Sequence, residues 1–268
     1  MNIETRYREF LPEVRRIVIK IGTRVITRPS GRPDIQPIKR LVKQIAELHR
    51  QGYEILMVSS GAIGAGVEAL GLKSRPTSVP DLQMCAAVGQ ARLMARYEEL
   101  FDLEKITIGQ VLLTHADFQH RIRFANAKRT MEHMIRHHVI PIINENDVVA
   151  DEEIKADLSL GDNDYLAALV VKMVRADLLI ILSTVDGVLD ANGRRVKCIE
   201  NPSDALALVK PDAAGGLSKG GMASKLQSAQ IAVKAGCGVL IACGRGKQVL
   251  TDAVAGKDVG TLILSTVL

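Results

Sequence analysis

Short β-rich runs alternate with longer segments of helical period along almost the whole chain. Several short runs, such as IVIKI and LLIIL, are apolar on both faces, which is typical of strands with helices packed on each side of the sheet. A regular order of strand and helix favours crossover connections between parallel strands. The pattern therefore predicts an α/β protein, a three-layer αβα sandwich with a mostly parallel central sheet. The predicted strands cover residues 17–21, 54–58, 106–113, 139–143, 178–182, 239–242 and 261–264, and the predicted helices cover 38–50, 82–100, 124–137, 166–174 and 222–235.

The length and composition fit one domain. The chain has 268 residues, of which 47% are hydrophobic and 24% are charged, and this balance excludes an intrinsically disordered protein. The Gly-, Pro- and Asn-rich joints between the predicted elements are too short to separate two units. We expect a single domain over residues 1–268.

Composition also excludes several function classes. Aromatic residues make up only 3% of the chain and there is no Trp, so a protein that stacks nucleic-acid bases is disfavoured. The net charge of +5 suits an anionic ligand, although a solvated surface is the favoured explanation because the charges are scattered. The four Cys show no CxxC pair, and no apolar run reaches eighteen residues. We expect a cytoplasmic protein that binds neither nucleic acid nor membrane.

The joints that follow the predicted strands carry the polar residues of interest, because ligands of open parallel sheets bind beyond the carboxyl ends of the strands. Lys20 ends the first strand and Gly22 follows it, a pair that suits a phosphate group. The second strand leads into the segment SSGAIGAG, which predicts either an anion site at a helix N-terminus or close packing of glycines.

Two clusters of amides and carboxylates come next, NEND at residues 144–147 and GDND at residues 161–164. Such groups can bind an ammonium group, orient lysines or coordinate Mg²⁺ through water, and they also occur as helix caps and turns. The last candidate segment, GGLSKGGMASK at residues 215–225, has the glycines, the helix start and the lysines that suit nucleotide phosphates, and a flexible surface loop is the alternative.

Several familiar catalytic motifs are absent from the sequence. It contains no Gly-x-Ser-x-Gly, no Gly-x-Gly-x-x-Gly and no Gly-x-x-x-x-Gly-Lys-Ser/Thr segment, so hydrolase, dinucleotide-binding and P-loop classes lack support. His133 and His137 lie four residues apart on a predicted helix without the HExxH order, so surface histidines are favoured over a metal site.

Taken together and in order, the joints resemble the amino acid kinase family over nearly the whole chain. The segments that carry the resemblance are VIKIGT, VSSGAIGAG, AAVGQ, QVLLT, PIINENDVV, GDNDYLAALV, VDGV, KGGMASKLQSA and VGTL. The resemblance is greatest to members that phosphorylate the γ-carboxylate of L-glutamate with ATP, the first step of proline biosynthesis. It implies the amino acid kinase fold, with an N-terminal part mainly for glutamate and a C-terminal part mainly for ATP.

The resemblance also implies roles for individual residues. Lys20 and Lys225 match the lysines that stabilise the transferred phosphoryl group, and Asp164 matches the aspartate that orients them. Mg²⁺ is implied as a cofactor held mainly by ATP oxygens and water, with help from Asp162 and without a metal site of the protein's own. The glutamate-binding positions are Ser60, Gly61, Asn144, Asp147 and Asn163, and the ATP-binding positions are Lys20, Gly22, Ser183, Thr184, Lys219, Gly220, Gly221, Met222 and Lys225.

Three departures from the family pattern concern the nucleotide. Thr184 stands where an Asp is usual, Lys219 replaces a small residue, and Arg24 lies where a small polar residue is common. The resemblance further implies feedback inhibition by L-proline and a homodimer or homotetramer. We expect no C-terminal PUA domain of the kind that longer members carry. A family member with another acceptor, or a non-catalytic sensor of ATP or an amino acid, remains an alternative.

Overall fold

A computed structural model describes residues 10–150, 162–201, 203 and 221–264. Its centre is an eight-stranded sheet in the order β3-β4-β2-β1-β5-β7-β8-β6. All neighbouring strands pair in parallel except β7 and β8, which are antiparallel. The strands are β1 (Arg16–Ile21), β2 (Glu54–Val58), β3 (Ile108–Leu113), β4 (Ile140–Glu145), β5 (Leu178–Ser183), β6 (Cys198–Ile199), β7 (Gly238–Cys243) and β8 (Gly260–Ile263).

Helices connect most of the parallel strands. Two single 3-10 turns, Leu11–Glu13 and Thr23–Val25, lie before and after β1. The helices are α1 (Ile35–Arg50), α2 (Ala62–Ala69), α3 (Val79–Asp102), α4 (His115–Gln119), α5 (Arg121–Arg136), α6 (Asp162–Val174), α7 (Met222–Lys234) and α8 (Val249–Val254).

The predicted αβα sandwich is confirmed, and so is its mostly parallel sheet. All seven predicted strands and all five predicted helices are present, with ends that differ from the prediction by at most four residues. The prediction did not include β6, α4 or α8, because two to six residues are too short for a periodic pattern to stand out. Within the described residues, no helix is long and apolar enough to span a membrane.

The two faces of the sheet have separate cores. Ile17, Ile19 and Ile21 of β1 pack with α1, α3 and α8 on one face. Val18 packs on the other face, among residues of α5, α6 and α7. Because side chains alternate along a strand, Lys20 lies on the same face as Val18. The strand therefore presents its lysine to the layer that carries α6 and α7.

Glycines bring α2 and α3 unusually close together. A Cβ atom on Gly66 would lie 1.9 Å from the carbonyl oxygen of Cys85, and one on Gly89 would lie 1.8 Å from the carbonyl oxygen of Ala62. Neither position tolerates a side chain without moving backbone. Close packing was one of the two alternatives for the SSGAIGAG segment, and the structure contains it at Gly66.

Candidate active site

Three buried charged side chains meet at the carboxyl end of β1. Asp164 Oδ1 lies 2.6 Å from Lys20 Nζ, and Asp164 Oδ2 lies 3.1 Å from Lys225 Nζ. The side chain of Asp164 is fully buried, and those of the two lysines are 7% and 6% exposed. One carboxylate thus holds two ammonium groups from different elements of the fold, and the three side chains together carry one net positive charge.

Asp164 and Lys225 both lie at helix N-termini, which favour one charge and disfavour the other. Asp164 lies in the first turn of α6, where the partial positive charge of the helix N-terminus favours a carboxylate. Lys225 lies in the first turn of α7, where the same effect disfavours an ammonium group. Burying a lysine there is disfavoured twice, by the field of the helix N-terminus and by desolvation of the ammonium group. A residue that violates two local preferences in this way is a candidate for function.

Gly22 follows β1 and lets the chain run close to the end of β5. Its backbone N–H donates to the carbonyl oxygen of Leu182 at 3.1 Å. A Cβ atom at Gly22 would lie 2.9 Å from that oxygen and 3.8 Å from Lys20 Nζ. The glycine keeps backbone and lysine close together at this edge.

A network of three side-chain amides, two of them buried, lies beside the charged cluster. Asn163 Nδ2 donates to the carbonyl oxygen of Ser59 at 2.6 Å and to Asn144 Oδ1 at 3.0 Å. Asn144 Nδ2 donates in turn to Gln90 Oε1 at 2.8 Å. The network joins the ends of β2 and β4, the start of α6 and the middle of α3.

Both serines of the turn after β2 form hydrogen bonds with neighbouring elements. The Ser60 hydroxyl donates to the carbonyl oxygen of Ile21 at 2.6 Å, and the Ser59 hydroxyl lies 3.1 Å from the hydroxyl of Tyr97. Burial raises the pKa of Tyr97 to about 12, so this phenol stays neutral at physiological pH. Gly61 has a φ of 97°, a conformation that favours glycine, and it caps α2.

The remaining predicted residues fall into three groups. Asp147 lies on the turn directly after β4 and is half-buried. Ser183 ends β5 and exposed Thr184 follows it, whereas Gly221 and Met222 form the start of α7. Lys219 and Gly220 lie outside the described residues, and Asp162 begins α6.

Arg24 is exposed after β1, as the sequence places it. The guanidinium of Arg245, which follows β7, donates to the carbonyl oxygen of Arg24 at 3.1 Å. This contact joins two loops at the same edge of the sheet. In the part of the chain that the structure describes, no group of three or more His, Cys, Asp or Glu could hold a metal ion.

Sequence reasoning missed two residues of the polar network, Gln90 and Tyr97. They lie seven residues apart on α3, which is two helical turns, and both reach the same polar network. The segment AAVGQ was among those that carry the family resemblance, but a single polar residue in a helix of mixed pattern gave no reason to assign a role to Gln90.

The chain is similar to known proteins over nearly its whole length. Residues 15–243 match the model of the amino acid kinase family. The protein named glutamate 5-kinase of Clostridium tetani is 43% identical over 264 residues, which cover 95% of this chain and 96% of that protein. The glutamate 5-kinase of Symbiobacterium thermophilum is 42% identical, over 95% of this chain and 98% of its own. The glutamate 5-kinase of Photorhabdus laumondii is 42% identical, over 91% of this chain and 67% of its own.

Solved structures share the fold at low sequence identity. A carbamate kinase from Giardia lamblia, bound to AMP-PNP, superposes with a TM-score of 0.65 at 17% identity, over 94% of this chain and 98% of its own. An N-acetylglutamate synthase from Neisseria gonorrhoeae superposes with a TM-score of 0.66 at 14% identity, over 99% of this chain and 63% of its own. The sequence match and the fold lead to one conclusion: the chain belongs to the amino acid kinase family.

Proposed function

We propose that this chain transfers the γ-phosphoryl group of ATP to the γ-carboxylate of L-glutamate. The products are L-glutamyl 5-phosphate and ADP, and the reaction is the first step of L-proline biosynthesis. The observation that carries the proposal is the buried cluster of Lys20, Asp164 and Lys225 at the carboxyl edge of the sheet. The choice of acceptor is supported by relatives named glutamate 5-kinase that match across nearly the whole chain.

The chemistry explains why lysines are needed here. A γ-carboxylate is ionised at pH 7 and needs no general base, so the barrier lies in bringing two anions together and holding them in line. Cations that contact the transferring phosphoryl group lower this barrier most when water is excluded. Lys20 and Lys225 are buried and approach Asp164 from two elements, so Asp164 orients both ammonium groups toward a shared anion.

The glutamate site in this proposal lies beside the cluster, at the ends of β2 and β4. Its hydroxyl, amide and carboxylate groups suit an amino acid that carries one ammonium and two carboxylate groups. Asn144 and Asn163 are buried and hydrogen-bonded to each other, which gives this region a defined geometry. The proposed glutamate-binding residues are Ser60, Gly61, Asn144, Asp147 and Asn163.

The nucleotide site in this proposal lies around the end of β5 and the start of α7. The N-terminus of α7 offers backbone N–H groups to phosphate, and Gly22 lets backbone approach the same edge. The N-terminal part of the domain then binds mainly glutamate and the C-terminal part mainly ATP. The proposed ATP-binding residues are Lys20, Gly22, Ser183, Thr184, Lys219, Gly220, Gly221, Met222 and Lys225, of which Lys219 and Gly220 rest on the family resemblance alone.

Mg²⁺ belongs to the proposal as a cofactor carried by ATP, held by phosphate oxygens and water, with Asp162 acting through that water. When bound, it neutralises charge on the phosphate oxygens. The family resemblance further supports inhibition by L-proline, a homodimer or homotetramer, and a cytoplasmic enzyme.

An acyl phosphate can be trapped, which allows a direct test. Purified protein is incubated with Mg-ATP, hydroxylamine and, in separate reactions, L-glutamate, N-acetyl-L-glutamate, L-aspartate or carbamate. We expect hydroxamate with L-glutamate, and ADP formed in equal amount. Lys225→Ala should reduce the rate about 100-fold or more. Lys172→Ala, which removes an exposed lysine from α6, is the matched control and should leave the rate unchanged.

The acceptor panel separates the alternatives. If product forms only with a different acceptor, that acceptor takes the place of L-glutamate in the proposal, and the phosphoryl-transfer chemistry is kept. Binding of ATP without product from any acceptor would contradict the kinase assignment and favour a sensor of ATP or an amino acid.

A further inference from the structure

Three side-chain amides follow one another in the network beside the charged cluster. Asn163 donates to Asn144, and Asn144 donates to Gln90, at 3.0 Å and 2.8 Å. The two asparagines are buried and Gln90 is half-buried. Asn163 directly precedes Asp164, so the chain of amides ends next to the carboxylate that holds both lysines.

A backbone carbonyl sets the direction of the whole chain of amides. The carbonyl oxygen of Ser59 can only accept, so the amide group that lies 2.6 Å from it must be the nitrogen of Asn163. That nitrogen also faces Asn144, which must therefore present its oxygen and turn its own nitrogen toward Gln90. Gln90 must then present its oxygen to the nitrogen of Asn144. An acceptor at position 90 therefore favours this orientation of Asn144 over the flipped one.

The position of Gln90 is itself determined by backbone packing. Its neighbour Gly89 contacts α2 so closely that a Cβ atom there would lie 2.4 Å from the backbone nitrogen of Gly66. Two turns further along α3, Tyr97 is buried and its hydroxyl lies 3.1 Å from that of Ser59. The helix is therefore held at both ends of the segment that carries Gln90.

We propose that Gln90 is a positioning residue that sets the affinity for the amino-acid substrate by holding Asn144 in the orientation that the Ser59 carbonyl imposes through Asn163. The inference rests on the proposed function, in which both asparagines belong to the glutamate site. An amide turned by 180° offers a donor where an acceptor stood, so a wrong orientation opposes an amino acid that presents an ammonium group on one side and carboxylates on the other. Gln90 thereby acts on substrate binding without touching the substrate.

Substitutions at position 90 separate this role from general damage and from simple charge effects. Gln90→Glu keeps an oxygen that accepts from Asn144, whereas Gln90→Lys puts donors in its place and Gln90→Met removes the hydrogen bond. We expect Gln90→Lys and Gln90→Met to raise KM for glutamate about tenfold, as expected for one hydrogen bond lost in a buried network. Gln90→Glu should remain within about threefold of wild type. Gln36→Met, at an exposed position of α1, is the matched control.

The hydroxamate assay gives KM for glutamate, KM for ATP and kcat for each variant, and thermal unfolding reports whether the fold is kept. We expect a change in KM for glutamate, with KM for ATP, kcat and Tm close to wild type. A simple charge effect on an anionic substrate would give the reverse order, with Gln90→Glu impaired and Gln90→Lys improved. That order, an equal rise in both KM values, or wild-type KM in all three variants would overturn the role of Gln90. Absence of hydroxamate from the wild-type protein would instead overturn the proposed function, and the role of Gln90 with it.

Discussion

The two ends of β1 each carry an ionic network, and the two networks differ in charge balance and burial. At the carboxyl end, Lys20 and Lys225 share Asp164, and none of the three side chains is more than 7% exposed. At the amino end, Arg16 binds Glu54 at 2.7 Å and Glu132 at 2.8 Å, with exposures of 17%, 41% and 29%. The first cluster carries one net positive charge in the interior, and the second carries one net negative charge beside solvent.

Further hydrogen bonds make the amino-end network a contact between several elements of the fold. Arg16 also donates to the carbonyl oxygen of Val174, and Asp177 accepts from the backbone N–H groups of Arg15 and Arg16. Burial alone lowers the pKa of the Arg16 guanidinium, but its hydrogen bonds to Glu132 and Glu54 outweigh burial and raise that pKa. A buried group of charges with an excess of one sign favours an oppositely charged ligand, and we propose that role for the carboxyl end, whereas a partly solvated and well-bonded ion pair joins elements of the fold.

The largest effect should follow from removing the shared carboxylate. Asp164→Asn leaves two buried ammonium groups without their anion, so we expect the free energy of unfolding to fall by about 3–5 kcal/mol. Urea denaturation measures this loss, and kcat on glutamate should fall as well because the lysines lose their orientation. An unchanged denaturation midpoint would show that the cluster is not held together by Asp164.

The next effect should separate function from stability at the same cluster. Lys20→Met keeps most of the side-chain volume and removes one of two like charges, so we expect kcat to fall about 100-fold or more while the denaturation midpoint stays near wild type. Steady-state kinetics and urea denaturation on the same preparation check this. A normal kcat would contradict the role of Lys20.

The amino end should respond in the opposite way. Arg16→Met leaves Glu54 and Glu132 without their common partner, and we expect a loss of about 2 kcal/mol in stability with kcat within twofold of wild type. Arg50→Met is the matched control, since it removes the exposed Arg50–Glu104 pair and should cost less than about 1 kcal/mol. A large fall in kcat for Arg16→Met would remove the distinction between the two ends.

The smallest effect concerns pH at the carboxyl edge. His115 follows β3 and its ring stacks on that of Tyr165, the neighbour of Asp164, with centroids 4.8 Å apart. Burial lowers the pKa of His115 below its usual value near 6.5. The unfolded chain then takes up a proton more readily than the folded one, so the stability contributed by neutral His115 is present above about pH 6.5 and is lost as pH falls below it.

His115→Phe keeps a stacked ring without a titrating group. Denaturation at pH 7.5 and pH 5.5 should therefore show a smaller acid-induced loss of stability for His115→Phe than for wild type. An equal loss in both proteins would show that His115 does not contribute to acid sensitivity.

Much of the fold could be predicted because the buried strands have strong signals. Runs such as residues 178–182 are apolar on both faces and lie between helical periods, which indicates a covered parallel strand. The antiparallel pairing of β8 with β7 and the two-residue strand β6 could not be predicted, since pairing direction is set by tertiary contacts and two residues have no period.

Lys20 stood out as a lysine at the end of an apolar strand, and Lys225 as part of a glycine-rich segment that leads into a helix. The family resemblance, and neither pattern alone, grouped them with Asp164. Local patterns alone did not indicate that Asp164 contacts both lysines, because that contact depends on how α6 and α7 pack on the sheet. The family resemblance implied that Asp164 orients them. Gln90 and Tyr97 were missed for a related reason. Their role depends on backbone contact between α2 and α3 at Gly66 and Gly89, and no spacing in the sequence reports which face of α3 meets the site.

One measurement tests the contrast between the two ends of β1 most directly. Glutamate-dependent hydroxamate formation is measured side by side for wild type, Lys225→Ala and Arg16→Met, with saturating Mg-ATP. We expect a rate about 100-fold or more below wild type for Lys225→Ala and a rate within twofold of wild type for Arg16→Met. Equal rates in the two variants, or a greater loss in Arg16→Met, would contradict the assignment of phosphoryl transfer to the buried lysine cluster.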